Sequence, residues 1–373
     1  MYDDIRPLLD EEIPQALATL AASPLFPPLA HFIYPDQNPA AVARRLTAVK
    51  TVHQLQFSFM KDAIERILAL STTSLTSHST SQSLNTKESL FISNHRDITL
   101  DAFLLNYLLS TSVSQEQAVP MQITFGANLM QDPLITLIGR ANRMFRVERG
   151  GTPKEFYRNM LLTSSYIRHV ITSLHQSVWI AQRNGRTKDG LDRTEPSLLK
   201  MLALSGRASS KAPLEPLKAL HIVPIAVSYE WEPCDLLKAR ELHLRSLGPY
   251  RKQKGEDINS VLTGILQPKG HVNIAVTEPL SDEEIDLCAD SDTPFENLAA
   301  LIDRRIYANF YLHPNNYIAR DLLLNNLPQH IDHYTPDQKE AFLAHIAPVT
   351  DPHERSLLLR IYANPLQDTP TQE

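Results

Sequence analysis

The sequence predicts an α/β fold, a mostly parallel central sheet covered by helices, with helical additions at both ends. Three observations carry this. Through the middle of the chain, short apolar runs alternate with segments of helical period, the pattern of strands buried on both faces and joined by helices. The first 70 residues place apolar side chains at steps of three or four. From Ser281 onward, after an acidic start, the chain reads as helical again. The expected divisions are an N-terminal helical region at 1–70, an α/β domain at 71–280 and a C-terminal helical region at 281–373.

In order along the chain, Ile13, Ala16, Leu17 and Leu20 predict one helix. Ala48, Val52, Leu55, Phe59, Ala63 and Ile67 predict another, with a proline-rich break at Pro24–Pro28 between them. Such helices form either a bundle packed on the main domain or an amphipathic face resting on lipid; long apolar stripes favour the bundle. The nearly uncharged Ser71–Ser83 run reads as a loop or a polar edge strand. Strands are expected at Ser89–Ser93, Gln122–Phe125, Met144–Val147, Ser177–Gln182 and Ile222–Tyr229. Helices are expected over Ala102–Leu109, Leu134–Ile138 and Tyr157–Leu174, and a frayed tail over Gln367–Glu373.

Bulk properties exclude several function classes. Cys234 and Cys288 are the two cysteines, without a CxxC pair, which fits a reducing compartment and excludes a disulfide framework. Fourteen histidines show neither HExxH nor other metal-ligand spacing. With 11 glycines and neither GxGxxG nor a P-loop, the usual nucleotide-binding loops are absent. No apolar stretch reaches the roughly 18 residues a membrane span needs, and the opening MYDDIRPLLDEEIP is acidic rather than leader-like. The expectation is a cytoplasmic chain whose membrane contact is peripheral. Charge is uneven: from Arg140 to Arg193, eleven Lys/Arg face four Asp/Glu, in a chain of formal net charge −6. A basic centre in an acidic protein suits an anionic ligand or headgroup rather than nucleic acid, against the plainer alternative of solvated helix faces.

The segment Phe91–Leu105, FISNHRDITLDAFLL, carries the chemistry. It places His95 at a strand-to-helix turn with carboxylates Asp97 and Asp101 two and six residues on. A carboxylate holding Nδ1–H leaves Nε2 free to take a proton from a hydroxyl; an Asp here could equally cap the following helix. Taken singly, His95 reads as an ordinary structural histidine. His95-Arg96-Asp97 also spells the kinase HRD, but position 102 is alanine where that motif needs Asn, and no DFG follows. Ser93 and Ser228 lack the GxSxG elbow of serine hydrolases. Tyr229, Trp231 and Cys234 read as core.

The run NHRDITLD resembles the first signature block of the glycerolipid acyltransferases, the family containing lysophosphatidic acid acyltransferase; here five residues rather than the usual four separate His95 from Asp101. Ala141–Gly150 (ANRMFRVERG) is similar to the second block, with Arg149 at its arginine. Trp179–Thr194 (WIAQRNGRTKDGLDRT) resembles the third, with Asn184-Gly185 in place of Glu-Gly and then Arg186, and Ile222–Val227 with Pro224 resembles the fourth. WIAQR-GR-KD, SYEWEPCD and HPNNYIA look like a bacterial 1-acyl-sn-glycerol-3-phosphate acyltransferase branch, so the likeness spans most of the chain.

The resemblance implies catalytic His95 assisted by Asp101, with Asp97 still open. It implies substrate contacts from Asn94, Arg96, Arg149, Gly185 and Arg186; Arg183 and Lys188, in the same basic window, join them as candidates, against the plainer reading in which Lys188 and Arg193 are rim charges paired with Asp189 and Asp192. It implies a lysophospholipid acceptor, an acyl-CoA or acyl-carrier-protein donor, no metal or other cofactor, and work at the inner membrane surface. A lyso-aminolipid acceptor, or a lipid-binding protein without turnover, are the alternatives.

Overall fold

In the computed structural model, residues 2–79, 87–112, 114, 119–130, 132–148, 150–209, 212–253, 255–324 and 328–368 are described. Seven strands form one sheet: β1 (Thr72–Ser79), β2 (Leu90–Ser93), β3 (Gln122–Gly126), β4 (Met144–Val147), β5 (Val178–Ala181), β6 (Ile222–Tyr229) and β7 (Gly270–Val276). Their order is β1-β7-β6-β2-β5-β3-β4, and every neighbouring pair is parallel except β6–β7. The fold is therefore α/β with a mostly parallel sheet between helices.

Alternation along the strands builds two core layers. Leu90, Ile92, Val178, Ile180, Ile222 and Ala226 face the helices Pro153–Thr172, Pro196–Ala203 and Pro294–Ala308. Phe91, Trp179, Val223, Ile225 and Val227 face the helices Lys61–Ser71 and Leu100–Thr111. Every residue of β2 and β6 is buried, which is why both read as unbroken apolar runs.

The polar run after residue 71 is the edge strand β1. Its hydroxyls are used: Thr76 Oγ1 meets His271 Nε2 at 2.7 Å and accepts from Asn273 Nδ2 at 2.8 Å, both on β7. The part of the run at 80–83 lies outside the described residues. β7 itself was not anticipated.

The N-terminal helices bury their stripes on one another and on Ala141 and Leu137 of the helix Pro133–Ala141, forming a bundle. Two details depart from the expected pattern. The break falls at Ser23–Leu25, and Pro27 and Pro28 start the next helix, Phe26–Ile33, where a missing N–H costs nothing. The stripe Val52, Leu55, Phe59 continues at Ile64 rather than Ala63 because Gln56–Met60 is a π-helical turn, which inserts one residue into the helical phase. Among the described residues no single helix is long and apolar enough to cross a membrane.

The C-terminal helices Pro314–Leu323, Pro336–Ile346 and Pro352–Ala363 share a core with Ala239. They press on the loop that follows β5. Gly190 has φ +79°, and a Cβ there would stand 2.3 Å from the Ile361 carbonyl oxygen. Gly190→Ala is expected to lower unfolding free energy by about 2–4 kcal/mol, measured by denaturant titration; an unchanged midpoint would refute this close approach.

Candidate functional site

The site lies beyond the carboxyl ends of β2, β3 and β5, where parallel sheets collect their reactive groups. β2 ends at Ser93, and the next side chain locks the chain to β6. Asn94, fully buried, accepts from Val227 N–H at 2.8 Å and donates through Nδ2 to Val227 O at 2.9 Å and Asp192 Oδ2 at 3.0 Å. With its neighbour anchored, His95 turns outward, its side chain 12% exposed.

Asp101, in the first turn of the helix Leu100–Thr111, is wholly buried beneath that ring. Its Oδ2 meets His95 Nδ1 at 2.9 Å and accepts the backbone N–H groups of Arg96 and Asp97 at 2.7 and 3.0 Å. Its Oδ1 accepts the Tyr229 hydroxyl at 2.7 Å. A carboxylate oxygen accepts, so Nδ1 is the donor of this pair, and Nε2 is the ring nitrogen turned away from Asp101. Burial, then the Asp101 charge, hold the Tyr229 phenol protonated well above its ordinary range. Trp179 stands edge-on to the imidazole at 5.4 Å and donates from Nε1 to Ser93 Oγ at 3.1 Å.

The choice between the two carboxylates is thereby made geometrically. Asp101 is the histidine's partner. Asp97 is buried and its Oδ1 accepts from the N–H groups of Thr99 and Leu100 at 2.9 and 2.8 Å, organising the start of the helix.

Two residues expected to touch substrate are structural. Asn94 spends its amide on β6 and Asp192, as above. Arg96 is 1% exposed and points inward, its guanidinium paired with Asp192 and with Glu232 at 3.4 Å, and lying 5.2 Å over the Phe310 ring. Lys238, equally buried, completes the cluster by donating to Glu232 Oε1 at 2.6 Å and to the Arg96 carbonyl at 2.8 Å. Two cations thus face two carboxylates in the interior. Asp192 belongs to this cluster rather than to Arg193 at the rim, and Arg149 lies outside the described residues.

The other expected residues line a cavity of about 380 Å³. His95 and Trp179 form its floor, and Arg183, Gly185, Arg186 and Lys188 its cationic side. Asn184-Gly185 makes the turn its composition suggests, with Gly185 at φ +79°. Arg183 Nε and Arg186 Nη1 are buried donors without a hydrogen-bond acceptor among the described residues. Lys188, by contrast, is engaged: its ammonium pairs with Glu241, which also holds Arg245 Nη2 at 2.8 Å. Burial holds the Lys188 pKa below the ordinary lysine value in spite of that carboxylate. A second cavity of about 560 Å³ is lined by Phe125, Phe156, Met160, Ile180, Leu198 and Leu204. The two share a wall of Thr124, Phe125, Gly126, Ala181, Arg183 and Asn184. A carboxylate-held histidine, two guanidinium nitrogens without acceptors among the described residues and an apolar trough therefore meet across one partition.

Sequence reasoning missed Tyr229 as an Asp101 donor, and also Glu232, Lys238 and Arg245. Glu232 lies in the singled-out SYEWEPCD stretch, and that was its one available signal.

The chain matches no family model and no curated protein. Among solved structures, the crystal structure of the 1-acyl-sn-glycerophosphate (LPA) acyltransferase PlsC from Thermotoga maritima aligns with 79% of this chain and 95% of that chain, at 11% identity and a TM-score of 0.38. A likeness that distant speaks to neither substrate nor mechanism.

Two substitutions test the geometry. Arg96→Met leaves Asp192 and Glu232 buried with too few cations, and is expected to cost about 3–5 kcal/mol of stability. Tyr229→Phe leaves Asp101 Oδ1 without its donor, for a loss of about 1–3 kcal/mol. Chemical denaturation reads both, and wild-type stability in either variant contradicts the assigned bonds.

Proposed function

We propose that the protein is an acyltransferase that moves a fatty acyl group from a thioester, acyl-CoA or acyl-carrier protein, to the hydroxyl of a lysophospholipid such as 1-acyl-sn-glycerol-3-phosphate. One observation carries the reading: a histidine held by a buried carboxylate opens onto a cationic cavity that shares a wall with an apolar one. The sequence blocks around His95, Arg186 and Pro224 point the same way.

In the proposed reaction, Asp101 fixes the ring and His95 Nε2 takes the proton of the acceptor hydroxyl. The oxygen attacks the thioester carbonyl, and the tetrahedral intermediate collapses with loss of the thiolate. The imidazolium then returns its proton to the departing sulfur, so no acyl-enzyme forms. Arg183 and Arg186 hold the acceptor's phosphate, since planar guanidinium forks suit that group. The apolar cavity takes an acyl chain. A donor soluble in water and an acceptor dissolved in a bilayer put the enzyme at the cytoplasmic face of a membrane.

A second reading changes the acceptor alone. Asn184, an uncharged member of the shared wall, leaves room for a lyso-aminolipid whose headgroup carboxylate takes the guanidinium site. Competing the two acceptors in one assay separates the readings.

With purified protein, acyl-CoA and 1-acyl-sn-glycerol-3-phosphate, His95→Gln is expected to lower kcat by about 10²–10⁴-fold. Arg186→Met is expected to raise the acceptor KM by about tenfold or more. Full activity in His95→Gln, or no transfer by the native protein from either donor, overturns the proposal.

A further inference from the structure

The helix Glu256–Leu266 turns three of its large apolar side chains outward, while Ile265 packs against the core beneath the sheet. Its buried residues are Ser260 and Gly264, whereas Ile258, Leu262 and Leu266 are 52%, 52% and 57% exposed. Those three positions follow one another at i, i+4 and i+8, so they form a single stripe along the outer face. The inner face is small for a reason visible in the packing. A Cβ on Gly264 would lie 2.0 Å from Asp97 Oδ2, and the Ser260 carbonyl accepts the Cys234 thiol at 3.2 Å. Only small residues fit against the loop that carries His95, yet nothing in that packing calls for isoleucine and leucine outside.

The stripe has apolar company. Leu70, at the end of the adjacent helix Lys61–Ser71, is 51% exposed. Charges of both signs precede it: Arg251 is exposed, Lys252 pairs with Asp257, Arg245 pairs with Glu241, and Glu256 and Asp257 open the helix. Lys252, Asp257 and Arg245 also line the cavity that holds His95, so the patch adjoins its mouth.

We propose that this face rests on a membrane bearing anionic lipids, with Ile258, Leu262 and Leu266 at the boundary between headgroups and acyl chains. Arg251 then lies against lipid phosphates. An exposed apolar stripe with a solvent-facing arginine before it suits a helix that lies in such an interface. A second copy of the chain fits less well: a stripe roughly 12 Å long falls well short of the ~800 Å² per partner that a stable interface needs. Binding is measured apart from turnover, so it stands or falls separately from acyl transfer.

The test uses the full chain in co-sedimentation with phosphatidylcholine vesicles, plain or carrying about 30 mol% phosphatidylglycerol. The protein is expected to bind the anionic vesicles more tightly, and less so as salt rises. Ile258→Ser with Leu262→Ser is expected to weaken binding about tenfold or more, and Arg251→Ala about fivefold. Both leave the buried face untouched, which unchanged thermal melting checks. Leu262→Trp supplies a direct reading, since its fluorescence shifts to the blue when the side chain enters lipid. Binding unaltered in the variants, no blue shift, or a wild-type dimer in light scattering that the serine variant makes monomeric each overturns the proposal.

Discussion

The site depends on the carboxylate of Asp192. It takes the Arg96 guanidinium, the Asn94 amide and the Thr187 hydroxyl, while its own backbone N–H donates to the Tyr307 hydroxyl at 2.8 Å. The strand-end turn, the loop after β5 and the helix Pro294–Ala308 are thereby tied to one buried point. An uncompensated charge at that depth would be expensive, so those partners cannot drift apart. Their inward commitment is also what sends His95 the other way: with Asn94 and Arg96 both anchored inside, the side chain between them faces the cavity.

Division of labour follows from burial. The residues flanking His95 are polar and look like ligand contacts, yet they build the frame. The cavity contacts come instead from the loop after β5, where Arg183 and Arg186 keep buried donors without acceptors among the described residues. That loop is tied directly to the histidine, through Thr187 N–H to the His95 carbonyl at 2.7 Å. Base and cations are therefore held at a fixed separation by one short backbone bond.

How much was legible varied with the physical signal. β2 and β6 were readable because strands buried on both faces are continuous apolar runs. β7 was not: His271 and Asn273 interrupt it to serve β1, and its partner strand is nearly two hundred residues away in sequence. The π-helical turn left no mark that composition could show. His95 stood out because its spacing to Asp101 is local. Which of two nearby aspartates holds the ring depends on how the turn closes, and the burial of Arg96 depends on Asp192 and Glu232, 96 and 136 residues on. SYEWEPCD and HPNNYIA, stretches that carried the family likeness, supply scaffold bonds: Asn315 Nδ2 to the Glu230 carbonyl at 2.6 Å, and Tyr362 OH to Asp235 at 2.7 Å.

The contact of Gly190 with the Ile361 carbonyl has a temporal side. The same final stretch donates from Asn364 Nδ2 to the Asp189 carbonyl at 2.6 Å. The loop bearing Arg183 and Arg186 is thus braced by residues synthesised more than 170 positions later. A ribosome that has already released the whole sheet still holds back the brace. The last strand ends at Val276, so the loop that lines the cavity gains its support only after every strand of the sheet has been made.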